Sequence, residues 1–148
     1  MVSKLDTDVQ ALPVTVVIAT LGGASLKETI HGLNMGSIVP SEILICVPSS
    51  ESHKVAGYSF PNVKVIATDS KGQVAQRAIG FKNASCEYVM QLDDDLILDR
   101  YCVEILLRSL RTCGPNAAVA ASLFWVSTGE SFYKPPDNKL LLKWYYWV

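Results

Sequence analysis

Apolar runs of strand length alternate along the chain with stretches whose apolar residues recur at helical spacing. Val14-Thr15-Val16-Val17-Ile18-Ala19-Thr20 is β-branched or apolar almost throughout. That is the pattern of a strand covered on both faces, and it predicts the centre of a parallel sheet. Gly22-Gly23 breaks the run. Ser25 with Glu28 then offers a capping box for a helix through Ile30 and Leu33 toward Gly36. The same grammar recurs in a second strand, Glu42 to Val47, stopped by Pro48, and a third, Val63 to Ala67, approached through Pro61-Asn62.

The next helix is predicted over Gln73 to Asn83, with Val74, Ala75, Ala78 and Ile79 on its apolar face and Gln73, Gln76, Arg77 and Lys82 outside that stripe. A fourth strand, Glu87 to Leu92, runs directly into Asp93-Asp94-Asp95. Asp99 is placed to cap a further helix carrying Val103, Leu106, Leu107 and Leu110, which Gly114-Pro115 ends. Ala117 to Val126 reads as another strand. Strands separated by helices at this interval imply right-handed βαβ crossovers, hence an α/β fold: a Rossmann-like open, mostly parallel sheet with helices on both faces.

At 148 residues the chain reads as a single domain over 1–148. Lys plus Arg number 13 against 14 Asp plus Glu, a formal net charge of -1, and no basic stripe follows a phosphate backbone, so nucleic acid is not an expected partner. Cys46, Cys86, Cys102 and Cys113 lack zinc-ligand spacing and read as reduced structural thiols. The polar start is no signal peptide, and the run from Val14 to Leu21 is too short to span a bilayer. The expected location is cytoplasmic.

Ligands of open α/β sheets bind beyond the carboxyl ends of the strands, near the point where strand order reverses. That rule selects Thr20 with Gly22-Gly23, then Ser49-Ser50, Thr68-Asp69 and the acidic triplet. Three successive carboxylates repel one another unless a cation or a set of donors compensates them. Mg2+ or Mn2+ would do so, because these hard ions take one or two carboxylates and complete their shell with water and phosphate oxygens. The plain alternative is a solvated helix entrance. Against it, Asp99 already supplies a cap and Leu96-Ile97-Leu98 separates the two.

VTVVIAT, EILICVPSS and VKVIATDSKGQVAQRAIGFKNASCEYVMQLDDD together resemble the amino-terminal part of the family-two glycosyltransferases, over Val14 to Leu110. The resemblance implies a GT-A type half that binds a nucleotide-sugar donor, with a DxD-type motif after the fourth strand. It puts Asp93 and Asp94 at the ribose and diphosphate end, makes Asp95, with Asp93, the metal ligand, and sends Arg77 from its helix toward the nucleotide. A guanidinium fork suits phosphate oxygens, and the helix amino terminus at Gly72-Gln73 adds N–H donors. Asp69 and Ser49 are further candidates. Where the family often carries an aspartate that reads uracil, this chain has Val47-Pro48-Ser49-Ser50. Ser49 or backbone groups near Thr20 would substitute, and the base need not be uracil.

An inverting transfer also needs a general base to take the acceptor's proton. Glu130 and Asp137 are the carboxylates after Ala117, and neither matches the family's motif. The expectation is therefore a chain incomplete at its C-terminus, with the base beyond Val148. The closing run Trp144-Tyr145-Tyr146-Trp147 would be core in an intact enzyme, or would rest at a membrane interface beside a lipid-linked acceptor. The resemblance thus implies metal-dependent transfer of a sugar from a nucleotide-diphosphate donor to a saccharide or lipid-linked acceptor, and the acidic triplet itself points to a metal-diphosphate site. The alternative is a non-catalytic sugar-nucleotide-binding fragment or assembly domain. A nucleotidyltransferase ranks below both, because LGGAS carries no basic residue for a phosphate loop.

Overall fold

Covering a strand on both faces requires neighbours on both edges as well as layers above and below, and the first strand has all of these. The computed structural model describes residues 13–132, apart from 59, 70 and 115. Four parallel strands, β1 (Val14–Ala19), β2 (Glu42–Pro48), β3 (Val63–Thr68) and β4 (Tyr88–Leu92), lie in the order β3-β2-β1-β4. Every residue of β1 and β2 is buried, as their unbroken apolar runs require, whereas the edge strands β3 and β4 alternate with more exposed positions. Val16 stands opposite Ile43 and Met90, and Ile18 opposite Ile45 and Leu92.

The register divides the core in two. Val14, Val16 and Ile18 share one face with Ile43, Ile45 and Val47, under helices α1 (Leu26–Asn34) and α3 (Cys102–Cys113). Val17, Leu44 and Cys46 face the opposite side, where α2 (Gln73–Asn83) lies over β1 and β2. Burial there pushes the Cys46 thiol up to about 11, so it is a packing group.

Helix α2 has the predicted bounds but a different inner face. Its fully covered residues are Gln76 and Gly80, one turn apart, while Val74 is 82% exposed. Val74 lies two residues, about 200° around the axis, from Gln76. The apolar stripe lost to a polar one because the helix presses on the ends of β1 and β2, where the carbonyls of Thr20 and Cys46 accept from Gln76 and close approach to Val17 and Cys46 requires Gly80.

Three other expectations change. The capping box does not form: Ser25 is itself helical (φ -68, ψ -23), so its hydroxyl makes no cap and its carbonyl accepts from the Glu28 and Thr29 amides instead. Asp99 accepts from the Tyr101 amide at 2.8 Å in a turn ahead of α3, whose N-cap is Tyr101. The strand expected over 117–126 makes no ladder. Ala117, Val119, Ala121 and Leu123 are half-buried in alternation, and Ala117–Val119 line, with Tyr88, Val89 and Met90 of β4, a cavity of about 170 Å³. Among the described residues its pairing is limited to the antiparallel bridge Phe124–Ser131. The C-terminal aromatic run lies outside the described residues.

Glu42 sits at the opposite end of the sheet from the loops that follow the strands. Its buried carboxylate accepts from the Thr15 hydroxyl (2.8 Å), Lys64 Nζ (2.7 Å) and the Ser85 amide and hydroxyl (3.1 and 3.0 Å). Burial alone would raise its pKa, but the hydrogen bonds from Lys64, Thr15 and Ser85 together outweigh it and hold the group near 2. A folded pKa below the unfolded one contributes stability that is complete above about 4.5 and disappears as pH falls toward 2. Thermal melts across that window should show an acid limb that Glu42→Gln flattens, at a cost on the order of 2 kcal/mol at neutral pH. An acid limb unchanged in the variant would mean that Glu42 is not the group responsible.

Candidate functional site

The chain leaves β1 toward β2 and β3 on one side and returns to β4 on the other, so the crevice between the carboxyl ends of β1 and β4 is the switch point of the sheet. Thr20 closes β1 there and is 4% exposed. Its hydroxyl donates to Asp94 Oδ2 in a short hydrogen bond and accepts from the Gly22 amide at 2.9 Å. Gly22 has φ +80, and a Cβ on it would meet Lys54 Cβ at 2.6 Å, so both backbone conformation and crowding require glycine. A Cβ on Gly23 would sit 3.6 Å from Asp94 Oδ2, which places that carboxylate against the glycine turn.

Arg77 reaches the same crevice from α2. Its Nη2 stands 2.5 Å from Asp93 Oδ1, while its Nε is buried with no hydrogen-bond partner among the described residues. One residue earlier, Gln76 Nε2 donates to the carbonyls of Thr20 (2.9 Å) and Cys46 (2.7 Å). The side chain is 1% exposed, so these bonds form in a low-dielectric setting where an orphaned carbonyl is costly. Gln76 thereby ties the ends of β1 and β2 to the helix that presents Arg77.

Thr20, Arg77, Asp93 and Asp94 are thus brought together as two linked pairs. Asp95 is exposed and has no hydrogen-bond partner among the described residues. Ser49 and Asp69 lie farther along the sheet edge: Ser49 Oγ donates to the Thr68 carbonyl at 3.2 Å, Asp69 is exposed, and neither touches the acidic loop.

Sequence reasoning missed the groups that frame this rim. Glu51, in the 3-10 turn Ser49–Lys54 after β2, pairs with Lys54 Nζ at 2.8 Å and Lys71 Nζ at 3.3 Å. Hydrogen bonds from Lys54 first and Lys71 second hold its carboxyl below the ordinary range. The spacing of Glu51 and Lys54 is visible in the sequence, but the reach to Lys71 across two loops is not. Thr29 was missed as well. Its hydroxyl lies within hydrogen-bonding distance of the carbonyls of Asp94 and Leu96, although a threonine inside a helix carries no such signal in the sequence.

Among the described residues no three histidine, cysteine or carboxylate side chains converge on one point. The donor set therefore does not fit a metal that needs a closed protein cage. It does fit Mg2+ or Mn2+ held by one or two carboxylates with phosphate oxygens completing the shell. Among the described residues no helix is long and apolar enough to cross a membrane.

No curated protein matches the chain. A family model described as Glycosyl transferase family 2 matches residues 15–147.

Proposed function

The chain belongs to glycosyltransferase family 2, and we propose that it binds a nucleoside diphosphate sugar in the β1/β4 crevice for metal-dependent, inverting transfer to a saccharide or lipid-linked acceptor. The observation that carries this reading is the pairing of Asp94 with buried Thr20 and of Asp93 with Arg77 at the switch point of the sheet.

Each residue then has a chemical task. Thr20 fixes the Asp94 carboxylate by donating to one oxygen, which leaves the other for a ribose hydroxyl. Arg77 holds a positive fork at the mouth of the crevice, with a buried Nε–H that no described residue engages, and can exchange Asp93 for phosphate oxygens. Asp95 and Asp93 are the residues that would hold Mg2+ or Mn2+; that ion would supply Lewis-acid stabilisation of the diphosphate leaving group. Ser49 and Asp69 lie toward the far end of an extended nucleotide. Adjacent strands are about 4.8 Å apart, so the ends of β2 and β3 lie roughly 5–10 Å beyond Thr20. We assign no general base to this chain.

Calorimetric titration of UDP, GDP and their sugars tests the proposal, with Mn2+, with EDTA and in an Asp95→Ala variant. The expected result is binding that needs Mn2+ and is lost with Asp95, the preferred nucleotide revealing which base is read. A folded chain that binds none of these ligands would refute the donor site and leave Asp93 to Asp95 as a solvated helix entrance.

A further inference from the structure

We infer that Thr29 of α1 is the positioning residue that aims Asp95, an inference that rests on the donor-site reading above. Thr29 is 1% exposed. A threonine inside a helix ordinarily returns its hydroxyl to the carbonyl four residues back. Here that carbonyl, of Ser25, is the farthest of three acceptors at 3.4 Å, whereas Leu96 O lies at 3.0 Å and Asp94 O at 3.2 Å. The hydroxyl has a single proton, and the geometry directs it outward to the acidic loop in preference to its own helix.

The two loop carbonyls it engages belong to the residues on either side of Asp95. Asp93 and Asp94 are oriented through their side chains, by Arg77 and Thr20. Asp95 has no such partner among the described residues, so the direction of its carboxylate follows from the backbone that carries it. Between β4 and α3 that backbone has no helix or strand of its own. It is fastened to α1 near one end by Thr29. The other end is held by the turn after α1, where the Ser37 amide donates to the Arg100 carbonyl at 2.8 Å. Leu96 and Leu98, packed against the main core, hold the middle. Removing the Thr29 hydroxyl would leave this course broadly in place but free the peptide groups around Asp95. Partners that orient metal ligands are typically worth about ten- to a hundredfold in metal affinity.

The test compares Thr29→Val, which keeps the shape but loses the hydroxyl, with Thr29→Ala, which loses it in a residue that favours helix, and with Thr29→Ser, which restores it. Mn2+-dependent affinity for UDP or GDP is measured by calorimetry for each, beside binding in EDTA and the melting temperature. Leu44→Ala, in the core on the opposite face of the sheet from α1 and the loop, controls for general destabilisation. The expected result is a loss of about tenfold in Mn2+-dependent affinity in both Thr29→Val and Thr29→Ala, no change in EDTA, and recovery in Thr29→Ser. Leu44→Ala should lower the melting temperature while leaving the affinity intact. Wild-type affinity in Thr29→Val or Thr29→Ala, or an equal loss in Leu44→Ala, overturns the inference. A wild-type chain with no Mn2+-dependent binding overturns the donor-site reading and this inference with it.

Discussion

Replacing Arg77 with alanine will move two affinities in opposite directions. Mn2+ alone should bind several-fold more tightly, and a nucleoside diphosphate in saturating Mn2+ should bind about 30- to 100-fold more weakly. The first effect follows from the ion pair. Arg77 Nη2 stands 2.5 Å from Asp93 Oδ1, so the guanidinium already neutralises a carboxylate that a cation would use, and its charge repels an incoming ion. Half-exposure of Asp93 screens both terms, which keeps this change small. The second effect follows from what the arginine offers a phosphate. A charge-assisted hydrogen bond to a charged partner contributes about 1.5–3 kcal/mol, and the buried Nε–H has no competing acceptor among the described residues. Arg77→Lys should recover part of the loss, because it restores the charge without the planar fork. Titrating Mn2+ and the nucleotide separately distinguishes this exchange from a structural salt bridge, whose loss would weaken both affinities or neither.

The same pair shows how much of the site the sequence discloses. Continuous apolar runs in β1 and β2 announce strands covered on both faces, and the place of Asp93-Asp94-Asp95 after β4 follows from the rule about strand ends. Arg77 stands out through the family resemblance, since by itself an arginine on a helix fits a solvated face as well. What escapes is pairing that depends on tertiary approach. Gln76 reads as a solvent-facing residue by periodicity, yet it is the most covered side chain of α2 because two strand carbonyls lie under it. Thr29 carries no signal of its own within a short helix, yet its hydroxyl lies within hydrogen-bonding distance of a loop 65 residues away. Ser25 and Glu28 fit the capping pattern, but backbone bonds close that first turn without them. In each case a local rule met a partner that only the fold supplies.

The strongest such case is Gly80, and it yields a stability prediction. In a helix, Gly→Ala ordinarily stabilises by about 1 kcal/mol. Here Gly80→Ala is expected to destabilise by about 3 kcal/mol and lower the melting temperature on the order of 10 °C. A Cβ at this position would lie 2.3 Å from Val17 Cγ1 and 2.9 Å from Cys46 Sγ, with Val17 Cγ2 at 3.3 Å. Val17 cannot turn aside. It is β-branched, fully buried and in the middle of the central strand, so rotating one methyl away brings the other in. The helix must lift instead, and it carries Gln76 and Arg77 one turn closer to the site. Nucleotide affinity should therefore fall along with stability. Val17→Ala opens the space that the new methyl needs: alone it costs about 2 kcal/mol as a cavity, but combined with Gly80→Ala it should cost less than the sum by about 1–2 kcal/mol. Denaturant melts of the two single variants and the double variant give that coupling directly. A Gly80→Ala chain as stable as the wild type would mean that α2 rides higher on the sheet, and with it the contacts that hold Gln76 and Arg77 at the crevice would have to be redrawn.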